Sequence, residues 1–161
     1  YPSNVFTDKS VQNFLWIGFI KIFFPNSKII LTDRNSRDVC LSIFKINFKN
    51  GFMNFAYDQK DIANFYNVYL DLISFWKEIF KDDIYLSKYE KLIDNSQFEI
   101  KEMINFCDLE WDPNCLNHHL NKSGIKTASI NQARKPIYKT SKNLNKNYSD
   151  NLGEMFSILR N

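Results

Sequence analysis

The amino-acid sequence predicts an α/β fold: a parallel sheet flanked by helices. Three observations predict it. Lys28–Thr32 and Ile84–Ser87 are short, rich in β-branched and aliphatic residues, and bounded by polar turns, the pattern of buried strands. Between them, Asp58–Phe80 is a long amphipathic stretch in which Ile62, Phe65, Tyr66, Tyr69, Ile73, Trp76 and Phe80 share one stripe at helical spacing. Strands joined through helices need crossover connections, and crossovers lead to parallel pairing.

The elements follow in order. Asp8–Phe24 is polar at its start and then apolar, with Phe14, Ile17, Ile20, Lys21 and Phe24 spaced for a helix that stops at Pro25-Asn26. The first strand, Lys28–Thr32, leads directly into Asp33-Arg34-Asn35-Ser36. There Asn35 or Ser36 can cap a helix that carries Asp38 in its first turn and runs through Val39, Leu41, Ile43 and Phe44. Residues 50–57 are expected to be a loop. After the long helix, Asp82-Asp83 breaks the chain, Ile84–Ser87 forms the second strand, and Tyr89–Leu92 completes an α/β unit. A short helix over Phe98–Phe106 follows, then a turn at Asp112-Pro113. From Lys122 to Asn147 the sequence is dominated by Lys, Ser, Thr and Asn, and a solvated linker is the plain expectation. Asn151–Leu159 predicts a closing helix.

With 161 residues, the chain accommodates one domain. Its 21 basic and 18 acidic residues give a net charge of +3, too mild for a nucleic-acid binder but compatible with a local anion site. The apolar run from Phe14 to Phe24 is far shorter than the ~20 residues of a membrane span. Cys40, Cys107 and Cys115 have neither metal-ligand spacing nor an even count for disulfides, which points to reduced thiols in a cytoplasmic protein. His118 and His119 are adjacent, so their side chains diverge and they make a poor metal pair. No metal is expected.

Three constellations carry chemistry. Arg34 stands at the carboxyl end of the first strand beside a helix amino terminus, where open sheets bind ligands and where free N–H groups favour anions. Its planar fork suits a phosphate, and Ser42, roughly two helical turns on, could donate a hydroxyl to the same group. The competing reading of these residues is a surface Arg34–Asp38 pair with a buried serine. Residues 127–138 place Thr127, Ser129, Gln132, Arg134, Lys135 and Tyr138 on one irregular segment that could wrap a nucleotide, although polar loops are usually only solvated. Lys9, just ahead of the first helix, is the third candidate; an exposed lysine is its plain alternative.

Taken together, these pieces resemble the sulfotransferase family. The resemblance rests on Asp8-Lys9 with Asn13-Phe14, Phe24-Pro25-Asn26-Ser27-Lys28, Arg34 with Asp38 and Ser42 at four-residue steps, Lys88-Tyr89-Glu90-Lys91-Leu92, Trp111-Asp112-Pro113, and Thr127-Ala128-Ser129 through Gln132, Arg134, Pro136 and Tyr138, in that order. The chain is most similar to the bacterial type often fused to tetratricopeptide repeats and related to protein-tyrosine sulfotransferases. The resemblance implies a P-loop-NTPase-like sheet and the co-substrate 3′-phosphoadenylyl sulfate. It implies that Arg34 and Ser42 bind the donor's 3′-phosphate, that Tyr89 lies against the adenine, and that the segment from Ser129 through Gln132, Arg134 and Lys135 to Tyr138 closes over the nucleotide. Lys9 and Ser129 match positions that stabilise the transferring sulfuryl group, where fixed cations and hydroxyls oppose developing charge. The family's loop for the 5′-phosphosulfate, its first strand and its usual general base have no counterpart between residues 1 and 161. Residues 1–161 are therefore expected to be one partial domain, inactive without an upstream P-loop, with tetratricopeptide repeats further upstream in the full protein. Val11 stands where proline is common, Ile46 where some relatives carry arginine, Leu144 where a basic residue would help, and Asn145 where tryptophan is frequent.

The partners implied are the donor and a hydroxyl acceptor, with peptide tyrosine, carbohydrate and small phenols all open. The acceptor-facing loop is expected near residues 47–57. Two other functions compete: a non-catalytic module that holds adenosine bisphosphate, and a kinase-like P-loop fold with another donor, since fold alone does not separate these chemistries.

Overall fold

A computed structural model describes residues 5–48, 51–121, 124 and 130–160. The two expected strands are present as β1 (Ile29–Asp33) and β2 (Ile84–Lys88). They pair in parallel with Ile29 opposite Ile84 and Asp33 opposite Lys88. Helices pack around this short sheet, so the fold is α/β. The carboxyl ends of both strands lie side by side, and this places Arg34 and Tyr89, the residues that follow each strand, at one sheet edge.

The amino-terminal helix is shorter than Asp8–Phe24. Residues 5–10 are irregular, Asn13–Leu15 is a single 3₁₀ turn, and α1 spans only Ile17–Phe23. A long-range bond accounts for the interruption. The indole Nε1–H of Trp76 donates to the Phe14 carbonyl at 2.8 Å, taking the acceptor that a continuous helix would offer to the residue four positions on. The Trp76 ring lies so close to Gly18 that a Cβ there would sit 2.8 Å from Cη2, so only glycine admits this packing. Lys21, which interrupts the apolar run, is buried. It pairs with Asp83 at 2.8 Å and donates to the carbonyls of Pro25 and Ser27, tying the turn before β1 to the turn before β2.

α2 (Ser36–Phe44) follows β1 directly, capped by the Asn35 side chain accepting from the Asp38 N–H. The segment 51–57 folds as 3₁₀ turns kinked at Met53. They are packed rather than loose, since Ala56 is fully buried and Phe55 stacks on Phe65 with ring centroids 3.9 Å apart. α3 (Gln59–Ile79) is the central helix. Asp58 caps it through the N–H groups of Lys60 and Asp61, as its polar start suggests. One end of its apolar stripe packs with Phe14, Ile17 and Leu31 on the sheet side. The other end packs with Cys40, Leu41, Leu152, Met155 and Leu159.

α4 (Tyr89–Asp94) and α5 (Ser96–Phe106) follow β2, and Asp112 caps a 3₁₀ segment over Pro113–Leu120. α6 (Ile130–Ala133) is one turn long. Another 3₁₀ turn covers Leu144–Tyr148, and α7 (Gly153–Ile158) seats a fully buried Met155 on α3. Among the described residues no helix is long and apolar enough to cross a membrane.

The expectation of a solvated linker through residue 147 is overturned at its end. Asn145 is only 6% exposed, because its backbone N–H and side-chain amide both donate to the buried Asp38 carboxylate. Such a polar segment can be buried where another element supplies acceptors for its donors.

Candidate functional site

Beside the carboxyl end of β1 lies a cavity of about 540 Å³. Its walls come from the β1–α2 junction and α2 (Arg34, Ser42, Lys45), from α4 (Tyr89), and from the later segment (Gln132, Lys135, Tyr138, Ser141, Leu144). Residues more than ninety positions apart in sequence thus meet at one site. Of the candidates named from sequence, Arg34, Ser42, Tyr89, Gln132, Lys135 and Tyr138 all line it. Arg134 is adjacent in sequence but is not part of the lining. Lys9 is exposed and is not in the lining either. Ser129, with Thr127 and Ala128, lies outside the described residues.

Arg34 is held from three sides. Its Nη2 donates to the Ser141 carbonyl at 2.6 Å, its guanidinium lies 4.6 Å from the Tyr89 ring centroid, and Nη2 is 3.9 Å from Asp38 Oδ2. Its Nε–H is buried without a protein partner. A guanidinium has five N–H donors, so the bond to Ser141 does not exhaust its capacity. The Arg34–Asp38 pair is present as a long contact at 3.9 Å, but it is not a surface pair. Asp38 is 2% exposed, and its short hydrogen bonds go to Asn143 and Asn145 rather than to Arg34. Ser42 is exposed and shares the cavity with Arg34 rather than being buried.

The α2 amino terminus is used differently from the sequence expectation. The Asn35 N–H donates to Glu90 Oε1 at 3.0 Å, so a carboxylate of α4 already occupies part of the place where a free anion would dock. The anion-attracting capacity of the cavity therefore rests on side chains. Arg34, Lys45 and Lys135 line it, and the one lining carboxylate, Asp38, is committed to amide donors.

Sequence reasoning missed Lys45. It lies next to Ile46, and both line the cavity, with the lysine Nζ 5.4 Å from the Tyr148 ring centroid. The three-residue step from Ser42 to Lys45, which puts both on one helix face, was the available signal. His118 also lines the cavity, with Nε2 3.1 Å from the Lys135 carbonyl oxygen. Among the described residues no group of three or more His, Cys, Asp or Glu side chains is arranged to hold a metal ion.

Comparison with known proteins agrees with this architecture. Residues 1–113 match the Sulfotransferase family. The chain belongs to that family, a class of group-transfer proteins built on an α/β fold. It is 36% identical over 155 residues to an uncharacterized protein of Aquifex aeolicus (strain VF5), covering 95% of this chain and 20% of that protein. It is 28% identical over 112 residues to a candidate protein-tyrosine sulfotransferase of Caenorhabditis briggsae, covering 70% of this chain and 40% of that protein. The matched segments span about a fifth of the first relative's length and two fifths of the second's.

Proposed function

We propose that this chain forms the 3′-phosphate and adenosine half of the donor site of a sulfotransferase that moves a sulfuryl group from 3′-phosphoadenylyl sulfate to a hydroxyl acceptor. The observation that carries the reading is the convergence of Arg34, Ser42, Tyr89, Gln132, Lys135 and Tyr138 on one cavity. Its size lies within the ~300–1,000 Å³ of small-molecule sites. Arg34 and Ser42 hold the 3′-phosphate, with Lys45 adding charge. Tyr89 and Tyr138 supply the aromatic surface for the base, and Gln132, Arg134 and Lys135 close over the nucleotide. Tyr89 reaches the base from beneath the Arg34 guanidinium, so the same ring orients the arginine and borders the adenine subsite.

Lys9 and Ser129 act at the sulfuryl end. In the proposed step the acceptor oxygen bonds to sulfur as the bond from sulfur to the 5′-phosphate oxygen breaks. Lysine and hydroxyl donors offset the charge that builds on the leaving phosphate and the equatorial oxygens. Chain outside this segment supplies the 5′-phosphosulfate loop and the general base. Supporting this, both relatives are much longer, and Ile30 of β1 is 39% exposed although parallel sheets normally have both faces covered. Peptide tyrosine is the acceptor we infer, on the strength of the name of the Caenorhabditis briggsae relative. The free state of all three cysteines fits the cytoplasm.

Calorimetry tests the donor site. The complete protein that carries this chain is expected to bind adenosine 3′,5′-bisphosphate at least about tenfold more tightly than adenosine 5′-monophosphate or ATP, the contribution of one charge-assisted phosphate contact. Equal affinity for the monophosphate would remove the 3′-phosphate subsite, and ATP binding as well as the bisphosphate would favour a kinase-like reading. Bisphosphate binding without sulfuryl transfer to any tyrosine peptide, sugar or phenol would favour a non-catalytic binding module.

A further inference from the structure

Asp38 is the most fully buried charged residue among those described, at 2% exposure. Both of its oxygens are engaged. Oδ2 accepts from the Asn143 N–H at 2.8 Å, and Oδ1 accepts from the Asn145 N–H at 2.8 Å and from Asn145 Nδ2 at 2.7 Å. Asn143 has a positive φ of 59°, a left-handed turn that starts the 3₁₀ segment over Leu144–Tyr148, so the carboxylate caps that segment from across the molecule. Two cavity-lining residues, Ser141 and Leu144, sit within two positions of these anchored amides. The Ser141 carbonyl in turn is the hydrogen-bond acceptor that orients Arg34.

We propose that Asp38 is a positioning residue. By pinning residues 143–145 it fixes the Ser141 carbonyl, and through that carbonyl it holds the Arg34 guanidinium at the angle the cavity's anion requires. This rests on the donor-site reading for the anion, but the clamp itself stands on geometry alone. A buried carboxylate near an anion subsite is otherwise a cost, because it repels the ligand. Here that cost is offset because its lone pairs are turned to amide donors. Other charged groups at this junction are Arg34 itself, Glu90 on the Asn35 N–H, and the Lys139 and Lys142 side chains on Asp94.

The sign of one substitution separates positioning from simple electrostatics. Asp38→Asn removes a negative charge beside the anion subsite, so electrostatics alone predicts tighter bisphosphate binding. Loss of the clamp predicts weaker binding. The test uses the complete protein, with hydrogen exchange in the absence of ligand and calorimetry with adenosine 3′,5′-bisphosphate. The expected result is about tenfold faster exchange at the Asn143 and Asn145 amides and about tenfold weaker binding, with the effect on binding shrinking to less than about twofold when Arg34 is already alanine. Unchanged exchange, tighter binding, or an equal loss in the Arg34→Ala background would each overturn the proposal. Should Asp38→Asn fail to fold, Asn145→Ala keeps both backbone bonds to Asp38 and removes the Nδ2 donor, which also reaches Asn35 Oδ1 at 3.3 Å. It is expected to give smaller changes in the same directions, and no change at either readout would overturn the proposal. If the wild-type protein does not bind the bisphosphate, the donor-site reading and the positioning role fall together, while the exchange measurement still decides whether the clamp exists.

Discussion

Replacing Arg34 with alanine is the perturbation that weighs most on the donor-site reading. The wild-type guanidinium donates through Nη2 to Ser141, lies against Tyr89, and keeps a buried Nε–H without a protein partner. On the donor-site reading, alanine removes at least one charge-assisted hydrogen bond to the 3′-phosphate, a contribution of ~1.5–3 kcal/mol. At about 1.4 kcal/mol per factor of ten, that is a loss of roughly 10- to 150-fold in affinity. Lysine at the same position keeps the charge but lacks the planar fork, so Arg34→Lys is expected to fall between wild type and alanine. The assay is isothermal calorimetry with adenosine 3′,5′-bisphosphate at low and physiological salt. The wild-type affinity should weaken with salt, and the gap between wild type and alanine should narrow as screening grows. A thermal melt of each variant separates loss of contact from loss of fold. An Arg34→Ala protein that melts like wild type and binds within about twofold of it would refute the assignment, because twofold is about 0.4 kcal/mol, well below the ~1.5–3 kcal/mol of a charge-assisted hydrogen bond.

Three further outcomes follow from particular contacts. Gly18→Ala should destabilise the protein by about 1–3 kcal/mol in a denaturant titration, because the new Cβ meets a Trp76 ring anchored on the Phe14 carbonyl; an unchanged midpoint would show that the ring can move away freely. Burial pushes the Cys40 thiol up to about 12 and raises the half-buried Cys107 thiol as well, so iodoacetamide at pH 8 should label Cys115 readily, Cys107 more slowly, and Cys40 only after unfolding; equal labelling of all three by mass spectrometry would contradict the burial of Cys40. The Lys142 and Lys139 ammonium groups hold the Asp94 carboxyl below the usual carboxylate range. Because the folded pKa is lowered, this tether is fully present above the unfolded value of about 3.9 and is lost as pH falls through the lower folded value. A carboxyl-carbon NMR titration should place Asp94 below an ordinary aspartate, and Lys139→Ala with Lys142→Ala should return it to the usual range. A midpoint insensitive to both lysines would remove the tether.

Much of the fold was legible from local pattern. β1 and β2 were marked by short runs of β-branched residues, and α3 by an apolar stripe with Asp58 ahead of it. The cap of α2 was visible in Asn35 and Asp38. These features depend on neighbours within one or two turns, so periodicity and capping chemistry record them. Arg34 could be named from its place after β1 and Ser42 from its helical spacing, whereas Tyr89 came from the resemblance to sulfotransferases.

Long-range contacts decided what the pattern could not. A continuous first helix was the sensible expectation until Trp76, 62 residues away, took the Phe14 carbonyl. The polar run ending at Asn147 matched a solvated linker until Asp38, 107 residues from Asn145, supplied acceptors for its buried amides. The sequence by itself determined β1, β2, α2 and α3 and named Arg34 and Ser42 as side chains that could grip an anion. Only the tertiary structure decided that Arg34 and Ser42 share one cavity with Tyr89, Gln132, Lys135 and Tyr138, and that Asp38 faces residues 143–145 rather than solvent. The physical reason is that hydrogen-bond demand is local in its origin but not in its satisfaction: a donor must be paired when buried, and the partner can come from anywhere along the chain.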